Sequence, residues 1–334
     1  MSINESERST THWPGGDSEV PTESVLRVIC VSRSEVRGPV LDEMRRIRER
    51  AVVNNGRYGI RVALLNMSGW FVQWIEGPGD GVDALLDRVS GDQRHHGLEV
   101  VHRSEGRPRL FRPWMGSMVQ TSDSDRQFAL RVRAQMARFE EREVVEPAVV
   151  WGRLSAPPAP DMPRPQGRQP RVMLLSAQGA QAFNFLEWLV QREARTLVRR
   201  RFAGGADDVP DVESDYADFP AFGPRGLRLT ANARKGLAMG MMHAFLPDCA
   251  AVVLRLDGNA ERNIRLVDRV IMAFRQVHHS PMIVAWGGRG QVSAEIQDLV
   301  ERQGMPWLAA ATESASPDST ELWEALVPHL ERLG

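Results

Sequence analysis

The sequence predicts an α/β protein of two domains, and three observations carry that expectation. Apolar positions alternate between strand-like and helical spacing along both halves of the chain. A stretch dense in Pro and polar residues, 155–170, lacks any such periodicity and reads as an extended spacer. The strands after the spacer are nearly continuous apolar runs, the pattern of a parallel sheet covered on both faces. The expected layout is a disordered leader over 1–24, a ferredoxin-like α+β domain over 25–145, a Pro-rich linker over 146–170, and a doubly wound, mostly parallel α/β domain over 171–334.

In the first half, VLRVICVSR reads as a strand, followed by a helix carrying Leu41, Met44, Ile47 and Ala51 at three- and four-residue spacing. GIRVALLNM and GWFVQWIEGP follow as strands joined tightly through Met67, Ser68 and Gly69. A helix over 82–89, strands at LEVVHRS and WMGSMVQ, and a helix over 124–143 complete a β-α-β-β-α-β plan with additions, both crossover helices covering one sheet face. In the second half the expected strands are RVMLLSA, GLRLTA, AAVVLRLD, PMIVAW and PWLAAAT. Helices are expected over 183–200, 234–246, 260–277, 292–303 and 320–333.

A chain of 334 residues suits two ordinary domains, and 42% hydrophobic with 25% charged residues is ordinary for a globular protein. No apolar run approaches the ~18 residues that span a bilayer, so no membrane insertion is expected. The N-terminus has neither a basic start nor an apolar core of a secretory signal, and a cytoplasmic location is expected. Cys30 and Cys249 fall in apolar strand-like runs and read as inert buried thiols. A formal net charge of −1 gives no global field for nucleic acid, and the one basic cluster, Arg199 to Arg201, reads as the solvated end of a helix.

The segments ICVSR, NNGRYGI, GWFVQWIEGP, GDQRH and RLFRPWMG, in this order and nearly without gaps, resemble BLUF domains, the blue-light sensors that bind flavin. The resemblance implies that Asn55 and Gln73 present side-chain amides to the flavin ring edge. An amide offers both a donor and an acceptor to the ring's carbonyl and imide N–H. It also implies that Asp92 and His95 lie near the ribityl chain and that Trp114 is the Trp of the last strand. Read without the resemblance, Asn54 and Asn55 equally suit a helix end, Gln73 a solvent-facing strand position, and His95 with His96 a solvated loop. Trp74 and Trp114 equally suit core aromatics.

Two departures from the family pattern set further expectations. Cys30 stands where the family has a Tyr that donates an electron and a proton to excited flavin, and a thiol cannot fill that role unaided. The family's Gly-Ile-Thr-Gly is Gly59-Ile60-Arg61-Val62 here, so Arg61 and Val62 are expected to crowd the ring site and stoichiometric flavin is not expected. If the site still functions, its cofactor is FAD. The Met two residues after the family's Trp is absent, leaving Gly116.

In the second half, VMLLSAQGAQAF resembles the first strand and phosphate loop of small GTPases in eroded form, because Gln181, Ala182 and Phe183 replace its second Gly, Lys and hydroxyl. Thr230 to Ala233 and Gly287 to Gly290 stand where the later nucleotide motifs would be. A generic doubly wound fold would show the same alternation. No metal site or catalytic constellation is visible. The resulting expectation is a non-enzymatic signalling or scaffold protein, a diverged sensor joined to a pseudo-GTPase-like module. Protein partners would dock through the acidic stretch 203–225 and the sheet face of the first domain, with a homo-oligomer left open. The alternative is an FAD-binding blue-light photoreceptor that signals through its C-terminal domain.

Overall fold

The computed structural model describes residues 24–120, 123–157, 169–202, 211–234, 237 and 241–333. Residues 1–23 of the expected leader (1–24), most of the spacer core (158–168) and residues 203–210 lie outside them.

The first half runs β1 (Val25–Ser34), α1 (Val40–Arg57), β2 (Arg61–Met67), β3 (Trp70–Gly77), α2 (Gly79–Ser90), β4 (His95–Gly106), β5 (Met115–Gln120), α3 (Asp125–Glu140) and α4 (Pro147–Ser155). The β2–β3 turn is as tight as the sequence indicates. Ser68 and Gly69 both take positive φ, 52° and 79°, as a two-residue turn between right-twisted strands requires. α3 begins at a capping box, in which the Ser124 hydroxyl accepts from the Gln127 N–H and the Gln127 side chain returns to the Ser124 N–H.

The second half runs β6 (Arg171–Ser176), α5 (Gln181–Arg192), β7 (Val198–Phe202), β8 (Asp211–Phe219) and β9 (Leu227–Asn232). A 3-10 helix (His243–Asp248) leads into β10 (Cys249–Arg255), α6 (Ala260–Gln276), β11 (Met282–Gly287), α7 (Ala294–Glu301), β12 (Trp307–Ala311) and α8 (Ser319–Glu331).

All twelve strands form one sheet, in the order β12-β11-β10-β6-β9-β8-β7-β5-β2-β3-β1-β4. The strands β12, β11, β10, β6 and β9 are mutually parallel. The first half contributes the ferredoxin-like set β2-β3-β1-β4 with β5 added parallel to β2. The seam is the antiparallel pairing of β5 with β7, Ser117 opposite Phe202 and Gln120 opposite Arg199.

Strand alternation assigns the two faces of the first half. Val28, Cys30, Val62 and Ile75 pack under α2, and Leu64, Phe71 and Trp114 under α1. Ile29, Val31, Ala63, Leu65 and Trp74 face the other way, onto α3 and α4. That second face is closed from both halves: Trp74 meets Trp151 of α4 at 6.0 Å and Phe245 of the 3-10 helix at 6.4 Å between ring centroids. In the second half, α5 and α8 cover one face and α6 with α7 the other, the doubly wound arrangement the apolar runs imply.

Several segments differ from expectation. Residues 147–155, assigned to the linker, are a helix with Val150, Trp151 and Leu154 buried, started by Pro147 in its first turn. The helix expected over 183–200 stops at Arg192, and Arg199 to Arg201 are strand residues, Arg200 buried, instead of a solvated helix end. The described part of the acidic stretch, 211–225, begins with β8, in which residues 213–219 are buried and offer no open docking surface, while residues 221, 223 and 224 beyond it are exposed. Of the helix expected over 234–246, the described residues form the short 3-10 helix.

Candidate functional site

Asn55, Gln73, Asp92, His95 and Trp114 line a single cavity of about 200 Å³ between α1, α2 and the sheet. They come from five separate segments: the end of α1, the middle of β3, the turn after α2, the start of β4 and the residue before β5. The remaining wall is mainly apolar: Ile47, Ala51, Val62, Leu64, Phe71, Leu85 and Val89. Helical spacing produces the two long sides, residues 47, 51 and 55 on α1 and 85 and 89 on α2 falling on rows that face the sheet.

The Asn55 amide nitrogen donates to the Pro113 carbonyl at 2.9 Å and so ties α1 to the loop that delivers Trp114. Its backbone carbonyl accepts from Tyr58 and Ile60, so the residue both terminates the helix and lines the cavity. Gln73 is buried and, among the described residues, its side chain bonds to no protein group, which leaves both ends of the amide for a ligand. Across β1 its register partner is Cys30.

Asp92 accepts from the Arg94 backbone N–H at 2.9 Å and from its Nε at 2.8 Å. Arg94 reaches on to Glu43 at 3.1 Å. The Arg94 hydrogen bond holds the Asp92 carboxyl below its usual range. This pair neutralises itself and braces the rim. His95 is buried beside Phe71, and desolvation lowers its pKa, favouring the neutral ring. His96, by contrast, is exposed and pairs with Glu35 at 2.7 Å.

A test of whether these residues suit a flavin rests on unsatisfied groups. Among the described residues, His95 Nδ1 and Trp114 Nε1 are buried without a protein partner, and both residues lie on the cavity wall. With the free Gln73 amide and the apolar walls, the lining matches a flat ring system that carries polar atoms along one edge. The expected crowding is absent: Val62 lines the cavity without closing it, and Arg61 lies with Ala63 on the opposite face of β2.

Cys30 stays outside the cavity wall. It packs among Val28, Val62 and Ile75, and burial pushes its thiol pKa up to about 12. Cys249 is held at about 12 as well, again by burial, so both cysteines are the inert thiols the sequence indicates. Met115 does not substitute for the family's Met, because it faces the opposite core with Trp74. Sequence reasoning missed the apolar wall and three arginines, Arg50, Arg88 and Arg94, although the helical rows containing Ile47 and Leu85 would have indicated the first two.

In the second half, the segment laid on the phosphate loop joins β6 to α5 and takes a positive φ at Gly179, 57°. Ala182 is buried in the α5 core, and the Ala177 carbonyl accepts from Arg234. Among the described residues, the Ser176 hydroxyl is turned onto the Gly179 carbonyl at 3.2 Å, and Gln181, Ala182 and Phe183 supply neither the cation nor the hydroxyl of a phosphate loop.

Fold and site together define a ferredoxin-like α+β module with a ligand cavity between its two crossover helices and the sheet. Residues 25–117 match the family model described as BLUF, sensors of blue-light using FAD, and are a BLUF domain. No family model identifies the C-terminal half, so the small-GTPase likeness gains no support. No curated protein matches the sequence. Among solved structures, the chain is similar to "BlrB - a BLUF protein, dark state structure", at 26% identity over 39% of this chain and 91% of that one, TM-score 0.27. It is also similar to "BlsA ground state", at 22% identity over 32% and 71%, TM-score 0.28. A longer match, at 14% identity over 85% of this chain and 74% of the other, TM-score 0.28, is the Klebsiella pneumoniae BlrP1 manganese and cy-diGMP complex at pH 6. Among the described residues no helix is long and apolar enough to cross a membrane.

Proposed function

We propose that residues 25–117 bind FAD in the α1–α2 cavity as a blue-light sensor and that the C-terminal half receives the signal without performing catalysis. The observation that carries this reading is the convergence of Asn55, Gln73, Asp92, His95 and Trp114 on one cavity with free amide and ring N–H groups. When bound, flavin supplies blue-light absorption and one-electron acceptance. The protein's part is to hold polar groups at the ring edge through Asn55 and Gln73, to keep His95 neutral, and to exclude water with Phe71, Leu64 and Val62.

The route to the second half begins at Trp114, which lines the cavity and directly precedes β5. β5 is hydrogen-bonded to β7, and the Ser117 hydroxyl donates to Glu213 of β8 at 2.7 Å in the buried seam. A change in β5 therefore reaches β7 and β8 through backbone pairing and through a desolvated charge. Gln181, Ala182 and Phe183 at the positions of a phosphate loop's second Gly, Lys and hydroxyl support a binding role for this half over a hydrolytic one.

A second reading, a light-insensitive interaction module, is favoured by Cys30, whose buried and protonated thiol stands where the family's phenol transfers an electron and proton. Reconstitution of the full chain with FAD, followed by absorption spectra in the dark and under blue light, separates the two. Flavin retained with a spectral change under blue light supports the sensor; flavin retained without one supports the second reading, and failure to retain flavin removes the sensor reading.

A further inference from the structure

We infer that Arg50 and Arg88 select a phosphorylated flavin over riboflavin by holding the first phosphate of the tail at the cavity mouth; this rests on the flavin reading above. Both residues line the cavity, one from each helix that bounds it. They occupy the ligand-facing rows, Arg50 three residues after Ile47 and Arg88 three after Leu85, where a cavity sealed by packing would carry apolar side chains. Both are exposed, and among the described residues neither guanidinium is engaged by a carboxylate.

The other charges in the lining do not offset them. Asp92 and Arg94 form a pair, with Arg94 also bonded to Glu43, and desolvation keeps His95 toward its neutral form. The lining therefore carries two positive charges, one from each bounding helix, that no carboxylate engages among the described residues. Guanidinium donates two parallel N–H bonds to a phosphate, a geometry that a neutral ribityl hydroxyl cannot exploit to the same degree. The ring is recognised inside by amides, and the tail at the rim by charge.

The test is titration of the full-length apoprotein with riboflavin, FMN and FAD, read by quenching of flavin fluorescence, at about 0.05 M and 0.5 M salt. FMN and FAD should bind about tenfold tighter than riboflavin at low salt. The advantage should shrink at high salt, where exposed charges are screened. The double variant Arg50→Ala, Arg88→Ala should equalise the three ligands while leaving riboflavin affinity unchanged. Arg48→Ala, an exposed arginine of the same helix outside the cavity lining, should alter none of them. Equal affinities in the wild type, or an unaltered FMN preference in the double variant, would overturn the inference and leave the flavin reading intact. No binding of any flavin would overturn the reading beneath it.

Discussion

Substitution of Ser117 by Ala tests the seam that joins the two halves. The Ser117 hydroxyl and the Glu213 carboxylate are both buried and 2.7 Å apart, and Arg200 supplies the nearby positive charge. Desolvation raises the Glu213 pKa; the Arg200 charge and the Ser117 hydrogen bond pull it back. A hydrogen bond to a charged group is worth about 1.5–3 kcal/mol, so Ser117→Ala should cost about that much while Glu213 is ionised. The pH dependence has a defined sign. A carboxyl whose folded pKa lies above its unfolded value stabilises the fold fully below the unfolded value, about 4.3, and loses that contribution as pH rises through the folded pKa. Removal of the hydroxyl raises the folded pKa further. The penalty should therefore be small near pH 5 and grow toward pH 8. Urea denaturation of wild type and variant at both pH values measures it, and a single transition is expected because the core around Trp74 draws on both halves. A penalty independent of pH, or one below about 0.5 kcal/mol at pH 8, would refute the argument.

Other consequences follow from named contacts. Burial holds both His102 and His243 at a pKa of about 4, so below pH ~6.5 the unfolded chain takes up protons that the folded chain refuses. Each should remove up to about 3 kcal/mol of stability as pH falls to ~4, and His243→Phe, which retains the ring against Phe111, should flatten that decline in acid titrations monitored by urea midpoint. Glu76 accepts from the Trp74 indole and from the backbone N–H groups of Arg109 and Leu110 at 2.7–2.9 Å. Glu76→Ala orphans three buried donors at ~1–3 kcal/mol each, and should cost at least about 3 kcal/mol in the same assay. Millimolar GTP or ATP with magnesium should leave the melting temperature unchanged, whereas a nucleotide present at 100 times its dissociation constant would add about 2.7 kcal/mol.

The first half was legible because its signals are local. Period-two and period-3.6 spacing placed β1 to β5 and the helices between them, and the ordered segments around Asn55, Gln73, Asp92, His95 and Trp114 marked residues that the fold brings to one cavity. The crowding expected from Arg61 failed because adjacent strand residues face opposite sides. The seam was illegible for a different reason. VRRRF resembles a solvated helix end, and DVESDYADF an acidic loop, when each is read alone. Their most buried charges are compensated across strands, Arg201 with Asp215 at 2.9 Å and Arg228 with Asp218 at 2.7 Å, so burial becomes affordable through partners distant in sequence. The α4 helix was hidden similarly: PAVVWGRLS adjoins a Pro-rich stretch, and its apolar face has meaning only beside Trp74 and Phe245.

The central claim is that the BLUF domain retains a working flavin site whose light response is altered by Cys30. Its most direct test is the absorption spectrum of the full chain reconstituted with FAD, before and after blue light, for wild type and Cys30→Tyr. The account predicts near-equimolar bound flavin in both, a light-induced spectral change in wild type that is not the family's reversible red shift, and that red shift in the variant, where a phenol stands opposite Gln73. Wild-type protein that leaves gel filtration colourless after reconstitution, with its fold intact by circular dichroism, would contradict it.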